Sequence, residues 1–155
     1  MNKRFFSPNS IWNRPIPENP EVDPKSDHYI GLLTGEPKPY FFLNIQGFTI
    51  PVYETDETTP LRHVVPMRFN EDSPVGHGRS FENPVPIPDH AIPDPKNDRH
   101  MACVDYEKRK AWDMFYVKKR EDEEWESFTG MTYSLDEDGV FDPRELAIKD
   151  GDSVH

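Results

Sequence analysis

Three groups of side chains in this sequence have the types and spacing to do chemistry. Around a proline-rich stretch stand His77, His90, Asp98 and His100, with Arg79 and Arg99. Imidazoles with a carboxylate are a Zn2+ donor set, and a His–carboxylate pair can move protons near neutral pH. The histidine separations of 13 and 10 residues match no compact metal motif, so acid–base work by Asp98 and His100 ranks above zinc binding. The competing structural role is an Asp–Arg lock that orders the turn.

The second group would act on sugars. Cleaving a glycosidic bond takes two carboxyl groups about 5–10 Å apart, and Glu82, Asp98, Asp105, Asp113 and Glu126 are the candidates. Asp105 and Asp113 fall on successive strand patterns and are expected to share one sheet face. Exposed indoles stack on sugar rings and Arg hydrogen-bonds hydroxyls, so Trp12, Arg99, Trp112 and Trp125 are the candidate ligand-binding residues, with core packing the competing role for each Trp. The candidate catalytic set is therefore Asp98, His100, Asp105 and Asp113.

The third group is an acidic loop that follows Ser134. Aligned on an EF-hand calcium loop, Asp136, Asp138, Gly139, Val140, Asp142 and Glu145 take positions 3, 5, 6, 7, 9 and 12. Asp136, Asp138, Asp142 and Glu145 are thus candidate metal ligands and Ca2+ the candidate cofactor. Against this, position 1 is Ser134, Pro143 is awkward and no helix precedes the loop; an Asp-Gly turn between strands is the competing assignment. Nucleophilic chemistry has less support. Cys103 sits between Ala102 and Val104 in an apolar strand pattern, no Gly-x-Ser-x-Gly elbow occurs, and Gly76-His77-Gly78-Arg79 lacks the Lys-Ser/Thr of a phosphate loop.

The elements that must position these groups are short and β-rich. Among 155 residues, 17 prolines exclude a helical bundle, because each costs about 3 kcal/mol inside a helix. A mean hydropathy of −0.85 leans towards disorder, but 10 Phe, 6 Tyr and 3 Trp supply enough apolar rings for a small core. One cysteine excludes an internal disulfide. No apolar run approaches the ~18 residues of a membrane span, and no signal-peptide pattern follows Met1. Of the net charge of −11, residues 121–155 carry most, with 12 acids against Arg144 and Lys149. No window has the basic surplus that phosphate binding needs, so nucleic acid and anionic membrane are not expected partners.

Residues 1–24 form a proline-rich extended arm, and the spacing of Tyr29, Ile30, Leu32 and Leu33 behind Asp23-Pro24 predicts a helix over 24–34 ending at Gly35. Strands are expected over 40–45, 48–53 and 61–69. The five prolines in 84–95 favour an extended surface loop. An antiparallel meander is expected at 100–133, with turns at 107–110 and 120–123, and both faces of its middle strand are bulky. Such a strand belongs inside two layers, so the fold class is all-β: an antiparallel, jelly-roll-like β-sandwich over 25–155 with one short helix and long Pro-rich loops.

Ser10-Ile11-Trp12-Asn13-Arg14-Pro15-Ile16-Pro17, Asp23-Pro24-Lys25-Ser26, Ile50-Pro51-Val52-Tyr53, Asp98-Arg99-His100-Met101, Ala111-Trp112-Asp113 and Trp125 resemble a family of bacterial, often secreted, β-rich proteins with no assigned activity. The likeness covers most of the chain in order and implies an extracellular location. Its members usually continue past the point matching Gly151-Asp152-Ser153, so the chain looks like the front part of a longer architecture or a shortened relative. The functional expectation is an extracellular carbohydrate-directed β-sandwich protein that binds a glycan or cleaves a polysaccharide. The alternative is a structural protein that associates with copies of itself or a second polypeptide through the arm and an exposed sheet edge.

Overall fold

The computed structural model describes residues 3–35, 44–67, 76–96 and 98–141. Among them, one helix, α1 (Ser26–Gly35), is followed by nine strands: β1 (Val52–Thr55), β2 (Leu61–Arg62), β3 (Val64–Pro66), β4 (Val85–Pro86), β5 (Met101–Asp105), β6 (Lys110–Phe115), β7 (Lys118–Lys119), β8 (Trp125–Ser127) and β9 (Thr129–Ser134). They form a four-stranded sheet in the order β1-β5-β6-β9, a pair β2-β4, and a three-stranded sheet β3-β8-β7. The fold is β-rich, as expected, but its sheets are not all antiparallel. β1 runs parallel to β5, and β3 parallel to β8. The last strand of the predicted meander, after the turn at 120–123, divides at Phe128: its first part joins β3 and β7, and its second returns to β6, where the Phe128 N–H donates to the Phe115 carbonyl at 2.9 Å. Residues 40–43 of the first predicted strand lie outside the described residues, and Asn44 and Ile45 are not in a strand.

Register gives the four-stranded sheet two different faces. Met101, Cys103, Trp112, Met114, Gly130 and Thr132 alternate onto one face. The principal core lies there, with Met101, Cys103, Trp112 and Met114 packed among Val64 of β3, Val85 of β4, Ile87, Val117 and Trp125 of β8. The Pro-rich stretch is therefore not a surface loop along its whole length. Val85 and Ile87 are fully buried, and the Ile87 N–H donates to the Pro60 carbonyl at 3.0 Å. Pro86 is tolerated because a two-stranded ribbon leaves one side of each strand without a ladder to donate to.

The opposite face carries Ala102, Val104, Ala111, Asp113, Phe115, Met131 and Tyr133. A second, smaller core forms there around Val104, Ala111 and Leu135, flanked by Phe5, Tyr106 and Tyr133. Phe5 meets Tyr106 edge-on with centroids 6.0 Å apart, and Phe6 lies 5.9 Å from Tyr133. The fully buried Ser10 donates to the Asp138 carbonyl, and the Ser7 N–H to that of Glu137 at 2.8 Å. The start of the arm thus folds back on its own sheet instead of extending away.

α1 starts at Ser26, two residues after the predicted start, and the predicted Asp23-Pro24 cap precedes it: Asp23 accepts from the Lys25 N–H at 2.7 Å, and Pro24 cannot donate. It buries none of its residues. No helix among the described residues is long and apolar enough to cross a membrane.

Candidate functional site

β5 and β6 are joined by a turn over 106–109, so their other ends, at His100 and Phe115, form the open end of the hairpin. Four of the sequence-predicted polar residues, Asp98, Arg99, His100 and Asp113, lie at or next to this end. The His100 and Phe115 rings are 4.9 Å apart, and Phe115 contacts Phe128 at 6.2 Å. The segment that delivers His100 is fixed by its backbone: the Asp98 carbonyl accepts from the Tyr116 N–H at 3.0 Å and the Arg99 carbonyl from the Val117 N–H at 2.9 Å. Arg99 (φ 46°) and Tyr116 (φ 55°) are both held in the left-handed region, which side chains other than glycine's rarely adopt. The Arg99 guanidinium stands 5.6 Å from the Tyr116 ring centroid, and the Lys118 ammonium 5.1 Å from it. The lock on this turn is thus made of backbone and a cation–ring contact, not of an Asp98–Arg99 ion pair.

Asp113 lies on the same sheet face as Tyr133, diagonal to His100. Burial pushes its carboxyl above the usual carboxylate range, against the opposing pull of the His100 charge and the Met114 N–H. Burial and the Asp113 charge together push the Tyr133 hydroxyl up to about 12. A half-buried carboxyl that holds its proton more firmly than usual and feels the charge of a neighbouring imidazole is the part of this cluster with the chemistry for proton transfer.

Asp105 does not join this pair. It is opposite Lys110, whereas Asp113 is opposite Ala102, so the two carboxylates point to opposite sides of the sheet. The four-residue turn sets this: an even-numbered connection pairs odd positions with even ones, and two odd-numbered residues on successive strands cannot share a face. Asp105 instead caps its own turn, accepting from the Glu107 N–H at 3.0 Å and the Lys108 N–H at 2.8 Å, with the Lys108 ammonium 3.0 Å away. Burial alone would raise its pKa; these bonds and the ammonium outweigh it and hold the pKa below the usual range.

The tryptophans separate sharply. Trp112 is 5% exposed and Trp125 3%, so neither offers a ring face to a sugar, and both belong to the core. The Trp112 indole N–H donates to the Glu82 carbonyl at 3.0 Å. Trp12 is 72% exposed. In the acidic loop, Gly139 adopts φ 76°, the sharp turn the calcium alignment requires, yet Asp136 is held by Arg109 at 2.8 Å and Asp138 accepts from the Val140 N–H at 2.9 Å. Asp142 and Glu145 lie outside the described residues. Among the described residues, no three His, Cys, Asp or Glu side chains converge on a metal position.

Two buried polar contacts were not anticipated from sequence. His77 Nε2 and Ser127 Oγ are 2.8 Å apart, and the imidazole meets the Phe81 ring at a 41° tilt with centroids 4.0 Å apart. Burial, with the His63 charge adding to it, lowers the His77 pKa to about 4, so the ring stays neutral at physiological pH. Ser127 has no exposed surface, which removes it as a nucleophile. Asp94, also buried, accepts from Thr49 and from the Lys96 N–H. Both contacts link positions far apart in sequence, and no local motif marks them.

Among the described residues, fold and site together define a β-rich protein with parallel and antiparallel strand pairs, one helix and a polar cluster at the open end of its central hairpin. No family model, no curated protein and no solved structure matches the chain.

Proposed function

We propose that this chain is a non-catalytic assembly protein whose copies meet through the apolar surface of the arm and α1. One observation carries the reading: Tyr29, Ile30, Leu32 and Leu33 are 49–59% exposed on a helix that buries no residue. A ten-residue helix is marginal by itself, and helices in proteins draw most of their stability from a packed apolar face. Ile11, Trp12, Ile16 and Val22 extend the exposed apolar surface along the arm.

Charge selects a second copy as the occupant. Residues 1–52 hold five Lys and Arg against five Asp and Glu, so the whole net charge of −11 belongs to residues 53–155. Two acidic copies repel least where they meet through this neutral part. The same reading takes the four-stranded sheet and the two smaller sheets as the layers of a sandwich around the principal core. Light scattering across a hundredfold concentration range tests it: association in the wild type, abolished by Leu32→Asp with Leu33→Asp, is the expected result. A wild-type monomer throughout overturns it.

A carbohydrate-directed, extracellular role is the second reading. It rests on His100 and Asp113 at one end of one sheet face and on Trp12, the one indole left exposed. Polysaccharide pull-down with wild type and Trp12→Ala separates the readings.

A further inference from the structure

We infer that Arg99 and Lys118, arranged on Tyr116, form a binding site for an oxyanion group of a ligand, a carboxylate or a phosphate. Other cations that stand over rings in this protein also hold a carboxylate. Lys3, 5.7 Å from the Tyr106 centroid, pairs with Glu54 at 2.5 Å, and Lys110, 5.9 Å from that of Trp112, pairs with Glu82 at 2.7 Å. Arg99 and Lys118 have no carboxylate within 4 Å among the described residues. Scarcity does not explain this, because the chain has 29 acidic residues against 18 Lys and Arg.

Position does not explain it either. Glu126 is the direct cross-strand partner of Lys118, yet its carboxylate is nearest Arg120, at 3.9 Å, while the Lys118 ammonium stands over Tyr116. The two cations are set on one aromatic ring by a backbone that keeps Arg99 and Tyr116 in left-handed conformations, fastened by the paired Tyr116-to-Asp98 and Val117-to-Arg99 hydrogen bonds. A ring quadrupole holds a cation without satisfying its N–H donors. The result is two charges with open donors around one platform, the arrangement that an oxyanion completes with charge-assisted hydrogen bonds. His100, one residue from Arg99, and the Asp113 carboxyl behind it would lie beside the bound group.

Titration calorimetry of the full chain at low ionic strength tests the site, with inorganic phosphate in one arm, oligogalacturonate in a second and a neutral oligosaccharide of equal length in a third. The expected result is saturable binding of phosphate or of oligogalacturonate, with the tighter one naming the source of the oxyanion, and none of the neutral sugar. Lys118→Gln and Arg99→Gln should each weaken it about tenfold. Lys119→Gln, which removes a neighbouring ammonium already held by Glu123, should leave it unchanged. Thermal midpoints establish that the variants fold, and Lys118→Gln decides the matter if Arg99→Gln does not. Absence of saturable binding by both anions, or equal weakening by Lys119→Gln and Lys118→Gln, overturns the site.

Discussion

Asp94 holds Thr49 by both of its donors: the Thr49 N–H and the Thr49 hydroxyl each reach Asp94 Oδ2 at 2.9 Å. This carboxylate ties the approach to β1 to the end of the Pro-rich stretch, and the Lys96 N–H closes the other oxygen at 2.8 Å. Burial favours the neutral acid, but the donors outweigh it and the pKa is held below the usual carboxylate value. A folded pKa below the unfolded one means that the unfolded chain takes up the proton first. The stabilisation is therefore complete above the ordinary Asp range and is lost as pH falls through the folded pKa. Urea midpoints measured from pH 5 to pH 3 should fall less steeply in Asp94→Asn than in the wild type, and equal slopes would show that the clamp does not couple to folding.

His77 should add a separate slope at higher pH. Its folded pKa of about 4 lies below the ordinary value of 6.5, so the unfolded state binds more protons between the two and stability drops as pH is lowered through that window. The loss should total about 2 kcal/mol, less than full conversion of the shift because the ring is only partly buried. His77→Gln, which keeps a side-chain partner for Ser127, should flatten the profile between pH 6.5 and 4. An unchanged profile would place the titration elsewhere.

How much of this was legible beforehand follows from the distance over which each feature is encoded. The β5–β6 hairpin is local: alternating apolar residues bracket a polar turn, and the site cluster at Asp98, Arg99 and His100 is visible as the entrance to it. The pairing of Asp105 with Asp113 failed on parity within that same hairpin, an error correctable from turn length alone. The parallel pairing of β1 with β5 was not legible, because no local pattern specifies a partner so far along the chain. Proline composition misled over 84–95, where Val85 and Ile87 go to the core although their neighbours read as loop. The position of Lys118 over Tyr116 depends on two left-handed residues with ordinary side chains, which carry no glycine to announce them.

The indoles give the largest expected contrast. Trp112→Ala removes a ring that packs among Val64, Met101 and Met114 and leaves the Glu82 carbonyl without its donor. A loss of about 3–5 kcal/mol is expected in chemical denaturation. Trp12→Ala, at a ring 72% exposed, should change stability by less than about 0.5 kcal/mol. Similar losses from both would mean that the arm is packed more closely than its exposure shows.

Cys103 provides a probe of the whole core. Its side chain has no exposed surface, it lies mid-strand in β5 opposite Trp112, and burial pushes its thiol up to about 12. Thiolate is the reactive form, so at pH 8 the folded protein presents almost none of it and no path for a reagent to reach it. Labelling by a disulfide-exchange reagent should therefore proceed only through opening of the sheet. In rising urea the rate should increase in step with the unfolded fraction, and Trp112→Ala should accelerate it in native buffer by the factor that its lost stability implies, about a hundredfold or more for 3 kcal/mol. Mass spectrometry of time points gives the rate directly. Complete labelling of the wild type within minutes in native buffer would show that β5 is open to solvent and that the principal core is not closed on this side.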